Sequence, residues 1–396
     1  MIRLKTVLMS SAMLFFSWMG YRSIGYFFDN QLPVVSVHGM QNLSYYAGDI
    51  HCNIGTNKPG RLSIWVDNAP LVQDFNMHTK NKLYPFIIPT QTLTNGEHSF
   101  KVVCTDKSYN ANSTAVEHSF VVDNKPLDAV FMHEKKLKVL QGRTLHVKFK
   151  VNKDIECAYV KALAERYDCF LESMQSDIYE CFIPISCDEK ANEYLFSVEV
   201  KDRVGNHITL DNAFEIVHCD FKKQTIKVDP EKLKEEKERG RAIAELEEQL
   251  TILAQGSPKE KMWQGSFCTP IEIDRVTCEY GTVRTTQERG RYAHKALDVI
   301  NRPKSVVWAT QDGVVALKDR FDFSGNTVVV DHGHGILSLF YHLDDFADIE
   351  VGQKVSKGNP LGTLGKTGYA TGYHLHWEMR VNNAQVDPMQ WTKETF

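Results

Sequence analysis

Five residues in the last third of the chain have types and spacings that could do chemistry: His294, Asp298, His342, His374 and His376. His374-Leu375-His376 lies in an apolar run with strand character. Residues i and i+2 of a strand project from one face, so both imidazoles of this H-x-H address the same space. His294 and Asp298 are four residues apart, which puts them on one face of either a strand or a helix. Imidazoles and a carboxylate are the donor types of a catalytic zinc site, which uses three protein ligands and keeps a fourth position for water. Five candidates exceed three ligands, so the surplus two histidines would handle protons and charge beside the metal. The spacing alone leaves the division of roles open.

These residues need a scaffold. Residues 257–396 are strand-rich and punctuated by glycine, with apolar runs at 306–309, 313–318, 327–331, 337–342 and 374–381. Upstream, residues 31–123 and 124–220 read as short strands separated by turn signals such as Asn95-Gly96 and Lys58-Pro59-Gly60. The two stretches echo each other. Gly48-Asp49-Ile50-His51 aligns with Gly142-Arg143-Thr144-Leu145, and Phe120 with Phe214, both at an offset of 94 residues. A repeat of that size suits a β-sandwich, and the pair resembles tandem immunoglobulin-like domains of bacterial surface proteins. In such a fold Cys52 and Cys104 are expected to form an inter-sheet disulfide. The second sandwich carries Cys157, Cys169, Cys181, Cys187 and Cys219, an odd number whose pairing the sequence does not assign.

Residues 226–256 are highly charged and favour a helix, and Gly256-Ser257-Pro258 ends it. Ile243, Leu246, Leu250 and Leu253 form a seam of only two heptads. A linker helix docked on a neighbouring domain is expected. Self-association or partner docking is the alternative, and its position also allows a lid over the site. At the other end, Arg3 and Lys5 precede an apolar run that Arg22 interrupts. Residues 1–30 therefore read as a signal anchor or signal peptide. Anchoring by residues 7–28 in the cytoplasmic membrane is expected, with secretion after cleavage as the alternative. Either places the rest of the chain outside the cytoplasm, facing the periplasm.

Composition narrows the classes. The chain has 396 residues, 42% apolar and 24% charged, ordinary globular values that exclude a collagen-like, disordered or many-span chain. Lys and Arg number 46 against 50 Asp and Glu, so no basic excess exists for nucleic acid, and no nucleic-acid partner is expected. Nine cysteines suit an oxidising, exported setting.

Ordered motifs across residues 267–391 carry a resemblance. They are Tyr280-Gly281-x-x-Arg284, His294-x-x-x-Asp298, Gly325-Asn326 through His332-Gly333, Tyr341-His342-Leu343, the hairpin Val351-Gly352 to Gly358, and Gly368-x-x-Thr371-Gly372-x-His374-Leu375-His376-x-Glu378 followed by Asp387-Pro388. Together they resemble the lysostaphin-type, or LytM-like, peptidoglycan zinc metalloendopeptidases. The resemblance implies a mainly β chain: two immunoglobulin-like β-sandwiches, a linker helix and a C-terminal LytM-like antiparallel β peptidase domain. It implies Zn2+ held by His294, Asp298 and His376, with His342 and His374 as catalytic histidines that do not bind the metal. The implied reaction is hydrolysis of peptide cross-links between peptidoglycan stem peptides by a metal-activated water, in the cell envelope. A cell-envelope protein partner through the sandwiches or helix is a further expectation. The alternative is a catalytically silent LytM-like module that binds or activates other cell-wall hydrolases. Silent members have typically lost ligands, whereas all five residues stand here. The chain departs from the pattern at Ala296, where the family usually has glycine, and at Trp377, where phenylalanine is commoner. His332 and His334 are expected to be loop or surface histidines, and Cys268 and Cys278 to close a hairpin disulfide.

Overall fold

The computed structural model describes residues 2–78, 82–133, 136–225, 240–286 and 290–396, and it is mainly β. The chain divides into two compact units, residues 1–126 with 203–205, and residues 127–202 with 206–396.

In the first unit, one sheet pairs strands Val35–His38, Ile50–Thr56 and Leu83–Ile88. The other orders Ser44–Tyr46, Ser113–Val122, Gly96–Asp106, Gly60–Val66 and Ala69–Met77. Alternate residues of both sheets, including Ile54, Ile64, Phe100 and Phe120, form one buried core. The second unit repeats the scheme. Leu137–Leu140, His207–Val217, Glu193–Asp202, Ile155–Ala162 and Glu165–Asp168 form one sheet, and Phe170–Leu171, Ile178–Pro184, Thr144–Val151 and Ala129–Phe131 the other. Phe120 and Phe214 occupy matching places, each on a strand paired in parallel with a short early strand and each fully buried. A buried carboxylate ends the corresponding long strand in each repeat: Asp106 meets Lys58 at 3.2 Å and Asp202 meets Lys153 at 2.8 Å.

The rest of the second unit is built on an eight-stranded antiparallel sheet. Its order is Arg275–Cys278, Leu297–Ile300, Leu375–Val381, Ile336–Leu343, Gly325–Asp331, Gly313–Phe321 and Lys354–Val355, with Ala384–Val386 also paired to Leu375–Val381. One face covers a core containing Val328, Phe340, Leu375 and Trp377. Phe182 of the adjoining sandwich belongs to that same core, with Trp263, Trp391 and Phe396. Two hydrogen bonds fix the junction: Thr144 N donates to Gln390 Oε1 at 2.7 Å, and Gln390 Nε2 donates to Thr144 O at 3.0 Å. On the opposite face, the helix Gly240–Gln255 buries Leu246 and Leu250 against Leu317, Leu337, Leu339 and Tyr341, with Leu253 partly covered. The seam thus serves docking on the sheet. The remainder of the expected helix, residues 226–239, lies outside the described residues.

Several expectations need correction. All nine cysteines are free thiols. Cys52 and Cys104 pack as small core side chains, the first donating to Phe86 O at 3.4 Å and the second lying 3.7 Å from Thr56 Oγ1. Cys268 faces Ala309 O at 3.6 Å, while Cys278 faces Arg284. The cysteines therefore lend no support to an oxidising compartment. The N-terminal run does form a helix, Ile2–Phe27, which exposes Phe15, Phe16 and Trp18. Yet among the described residues no helix is long and apolar enough to cross a membrane.

His332 and His334 occupy a loop, as expected, but are fully buried instead of lying on the surface. His332 bridges Asp312 O at 2.7 Å and Ser338 Oγ at 2.8 Å, and His334 stacks on Phe170 at 4.6 Å between ring centres. Burial pushes each imidazole down to about 4. An unfolded histidine titrates near about 6.5, so between these values the unfolded chain binds more protons than the fold. The stabilisation is complete above about 6.5 and is lost as pH falls towards about 4. It amounts to about 3 kcal/mol per histidine. Urea midpoints measured across that interval should fall with pH, and a flat profile would contradict the assignment.

Candidate metal and catalytic centre

Strand alternation sets up the site. Along Leu375–Val381, Leu375, Trp377, Met379 and Val381 enter the main core, so His376, Glu378 and Arg380 project from the other face. Register then lines up a row across four neighbouring strands. Cys278 pairs with Asp298, Asp298 with His376, and His376 with Tyr341. His294 arrives from outside this sheet, at the end of strand Gly290–His294, where its carbonyl accepts from Gly281 N at 2.7 Å.

The residues meet closely. His376 Nδ1 lies 2.9 Å from Asp298 Oδ1, and His294 Nε2 lies 3.2 Å from Asp298 Oδ2. The two imidazole rings stand nearly perpendicular, 5.2 Å apart. Ala296, between His294 and Asp298, is buried without a positive φ, so its methyl fits the connection without backbone strain. Arg284 brings its guanidinium 3.9 Å from Asp298 Oδ2 and 3.0 Å from Cys278 Sγ.

Behind His376 runs a charged ladder. His376 Nε2 donates to Glu378 Oε1 at 3.2 Å and Nδ1 donates to Asp298 Oδ1 at 2.9 Å, so an ion taking Nδ1 displaces that proton while Glu378 keeps the one on Nε2. Arg380 Nε donates to Glu378 Oε2 at 2.9 Å, and its Nη1 and Nη2 donate to Glu247 of the docked helix at 2.7 Å each. Burial alone would raise the Glu378 carboxyl, but Arg380 and His376 hold it at about 2. Burial likewise disfavours charge on His376, yet Asp298 and Glu378 push it up to about 9. Burial opposes ionisation of Asp298 too, but His294 and His376 hold it well below the usual carboxylate range. The pocket is therefore built to receive positive charge. Tyr341 closes it from below, stacked on His376 at 5.2 Å with an interplanar angle of 7°.

His342 and His374 stand beside this cluster, their rings 4.8 Å apart and His342 6.0 Å from His376. His342 adopts φ +61°, a left-handed conformation that costs a non-glycine residue about 1–3 kcal/mol. The compensation is local. His342 N donates to Ser324 O at 2.8 Å, and Nδ1 donates to Thr367 O at 2.9 Å, which leaves Nε2 as an acceptor. Burial, aided by His376 and His374, pushes His342 down to about 3, so it is neutral near pH 7. Thr367 is set by a backbone crossing that only glycine permits: a Cβ on Gly368 would meet Gly325 N at 2.3 Å. His374 is the most open of the five, and its Nδ1 donates to Gly372 O at 2.9 Å.

All five sequence candidates thus converge. Cys278, Arg284, Tyr341, Glu378 and Arg380 also belong to the site without having been singled out for it. The i+2 and i+4 positions after His376 signalled Glu378 and Arg380, because a strand face is shared at that spacing. Cys278 depended on strand register, which the sequence does not print. The donor set fits Zn2+: two imidazole nitrogens and a carboxylate oxygen converge. One donor group able to hold a metal ion is Cys278, His294 and Asp298, whose ligand atoms lie within 4.8 Å of one another.

Part of the chain is similar to known proteins. Residues 292–388 match the sequence model of Peptidase family M23. The peptidoglycan DD-endopeptidase ShyC of Vibrio cholerae is 32% identical over 121 residues, 30% of this chain and 28% of that protein. The DD-carboxypeptidase/endopeptidase Mpg of Neisseria meningitidis is 36% identical over 120 residues, 30% of this chain and 27% of that protein. The chain thus spans under a third of these relatives' length. A solved Pseudomonas aeruginosa structure assigned to peptidase M23 aligns with 64% of this chain and 94% of its own, at 22% identity and a TM-score of 0.44.

Proposed function

We propose, taking as premise that the C-terminal domain is a metallopeptidase domain of family M23, that the chain is a zinc-dependent endopeptidase acting on peptide cross-links of peptidoglycan. The observation that carries this reading is the convergence of His294, Asp298 and His376 beside two further histidines that do not share their carboxylate. His294 Nε2, Asp298 and His376 Nδ1 would hold the ion. Bound there, zinc supplies Lewis acidity that lowers the pKa of water and polarises a carbonyl.

The protein's own groups do the rest. His342, neutral and with Nε2 free to accept, takes a proton from the attacking water. His374, whose Nδ1–H is tied to Gly372 O, keeps Nε2 as an acceptor and helps to orient that water. Glu378 keeps His376 in the tautomer that offers Nδ1. A silent binding module would not need this full set, which favours the enzyme. The substrate places its action in the cell envelope, outside the cytoplasm.

Digestion of purified sacculi with mass analysis of the released peptides tests this. His374→Ala should keep its zinc and lose about 10²–10⁴-fold in peptide release. If the zinc-loaded wild type releases nothing, the silent-module reading replaces this one.

A further inference from the structure

The catalytic reading uses His294, Asp298 and His376 and leaves one buried nucleophile beside them without a role. Cys278 is 4% exposed and stands on the strand next to Asp298, directly opposite it in register. Its sulfur, a nitrogen of His294 and an oxygen of Asp298 lie within 4.8 Å of one another, close enough to close around one ion. Zinc bound to sulfur and nitrogen sits about 2.3 Å and 2.0–2.1 Å from them, so ligand atoms of one tetrahedral site are only a few ångströms apart. A second feature points the same way. His294 is nine-tenths buried and meets both neighbours: its Nε2 lies 3.2 Å from Asp298 Oδ2, and its ring is also hydrogen-bonded to the Cys278 thiol. Arg284 Nη2 donates to the sulfur at 3.0 Å, which fixes Cys278 Sγ on the side of the cluster.

We propose that Cys278 is a sulfur ligand to the metal held by His294 and Asp298. The inference rests on the metal-site reading above and extends it. His294 and Asp298 are then shared by two ligand sets, one completed by His376 and the other by Cys278. On binding, the S–H bond breaks, its proton passes to solvent, and a sulfur lone pair forms the bond to the ion; nothing is oxidised or reduced. Where all four residues bind together, the thiolate takes the place that a catalytic site leaves for water, and that four-ligand form is a resting form.

Cobalt substitution reads this directly. Full-length apo protein loaded with Co2+ should take up one ion per chain and show an intense near-ultraviolet sulfur-to-cobalt charge-transfer band. Cys278→Ser should keep the cobalt and lose the band, and Cys278→Ala should behave the same way if serine perturbs the fold. The band should persist in His374→Ala, which leaves both ligand sets intact. Cobalt bound without a sulfur band in the wild type overturns this proposal and leaves the three-ligand site standing. A band that survives in both Cys278 variants overturns it as well. No cobalt bound at all overturns the metal-site reading and this proposal together.

Discussion

Replacing Asp298 with asparagine should strip the chain of zinc and reduce peptide release from sacculi to background, while the fold persists. Asp298 is the residue on which every candidate donor set depends, since His294 and His376 both address its oxygens and Cys278 faces it across the strands. Asparagine keeps the shape and removes the charge. His294 and His376 are then two imidazoles without the carboxylate that collects them. Metal analysis of the purified full chain checks the first half of the result and sacculus digestion the second. Wild-type zinc content in the variant would show that the ion lies elsewhere. His376→Ala is predicted to be milder in metal content, because Cys278 can keep a three-donor set with His294 and Asp298, yet equally inactive.

The second large effect lies one step further back. Arg380→Met should cost about 3–5 kcal/mol of stability, the range for removing one partner of a buried ion pair. Glu378 would stay buried without the guanidinium that keeps it ionised, and Glu247 would lose both of its hydrogen bonds. Glu378 would then hold the His376 tautomer less firmly, so zinc affinity should also fall by about 10–100-fold, as for other residues that orient a metal ligand. Urea denaturation and a zinc-chelator competition separate the two effects. A variant that loses stability but keeps full zinc affinity would confine Arg380 to a structural role. Glu247→Gln tests the helix end of the ladder more gently, because Glu247 is about half exposed and glutamine keeps one acceptor oxygen.

What could be read beforehand has a physical boundary. The H-x-H face, the four-residue spacing of His294 and Asp298, and the ordered glycine motifs are local patterns, and all five candidates stand together in the fold. The repeat of the sandwiches was legible for the same reason, since Gly48 and Gly142 mark the same turn, both with positive φ. Disulfides were misjudged because cysteine separation along a chain says nothing about where sulfurs point, and Cys52 and Cys104 point into packing contacts. The burial of His332 and His334 was missed because a glycine-rich loop reads as exposed, whereas this one is roofed by Phe170 and by the backbone carbonyls of Pro258 and Lys259. The role of the helix Gly240–Gln255 needed tertiary context: its apolar seam was visible, but Glu247 gains meaning only beside Arg380.

The joint between the second sandwich and the eight-stranded sheet has a mechanical consequence. Phe182 reaches across to pack, tilted or edge-on, against Trp263, Trp391 and Phe396, and Lys261 comes back to the buried Glu180 at 2.8 Å, so the two halves hold each other from both sides. A joint of that kind carries torque. A load applied along this sandwich should therefore turn the sheet, and with it the cluster of His294, Asp298 and His376, instead of bending the joint.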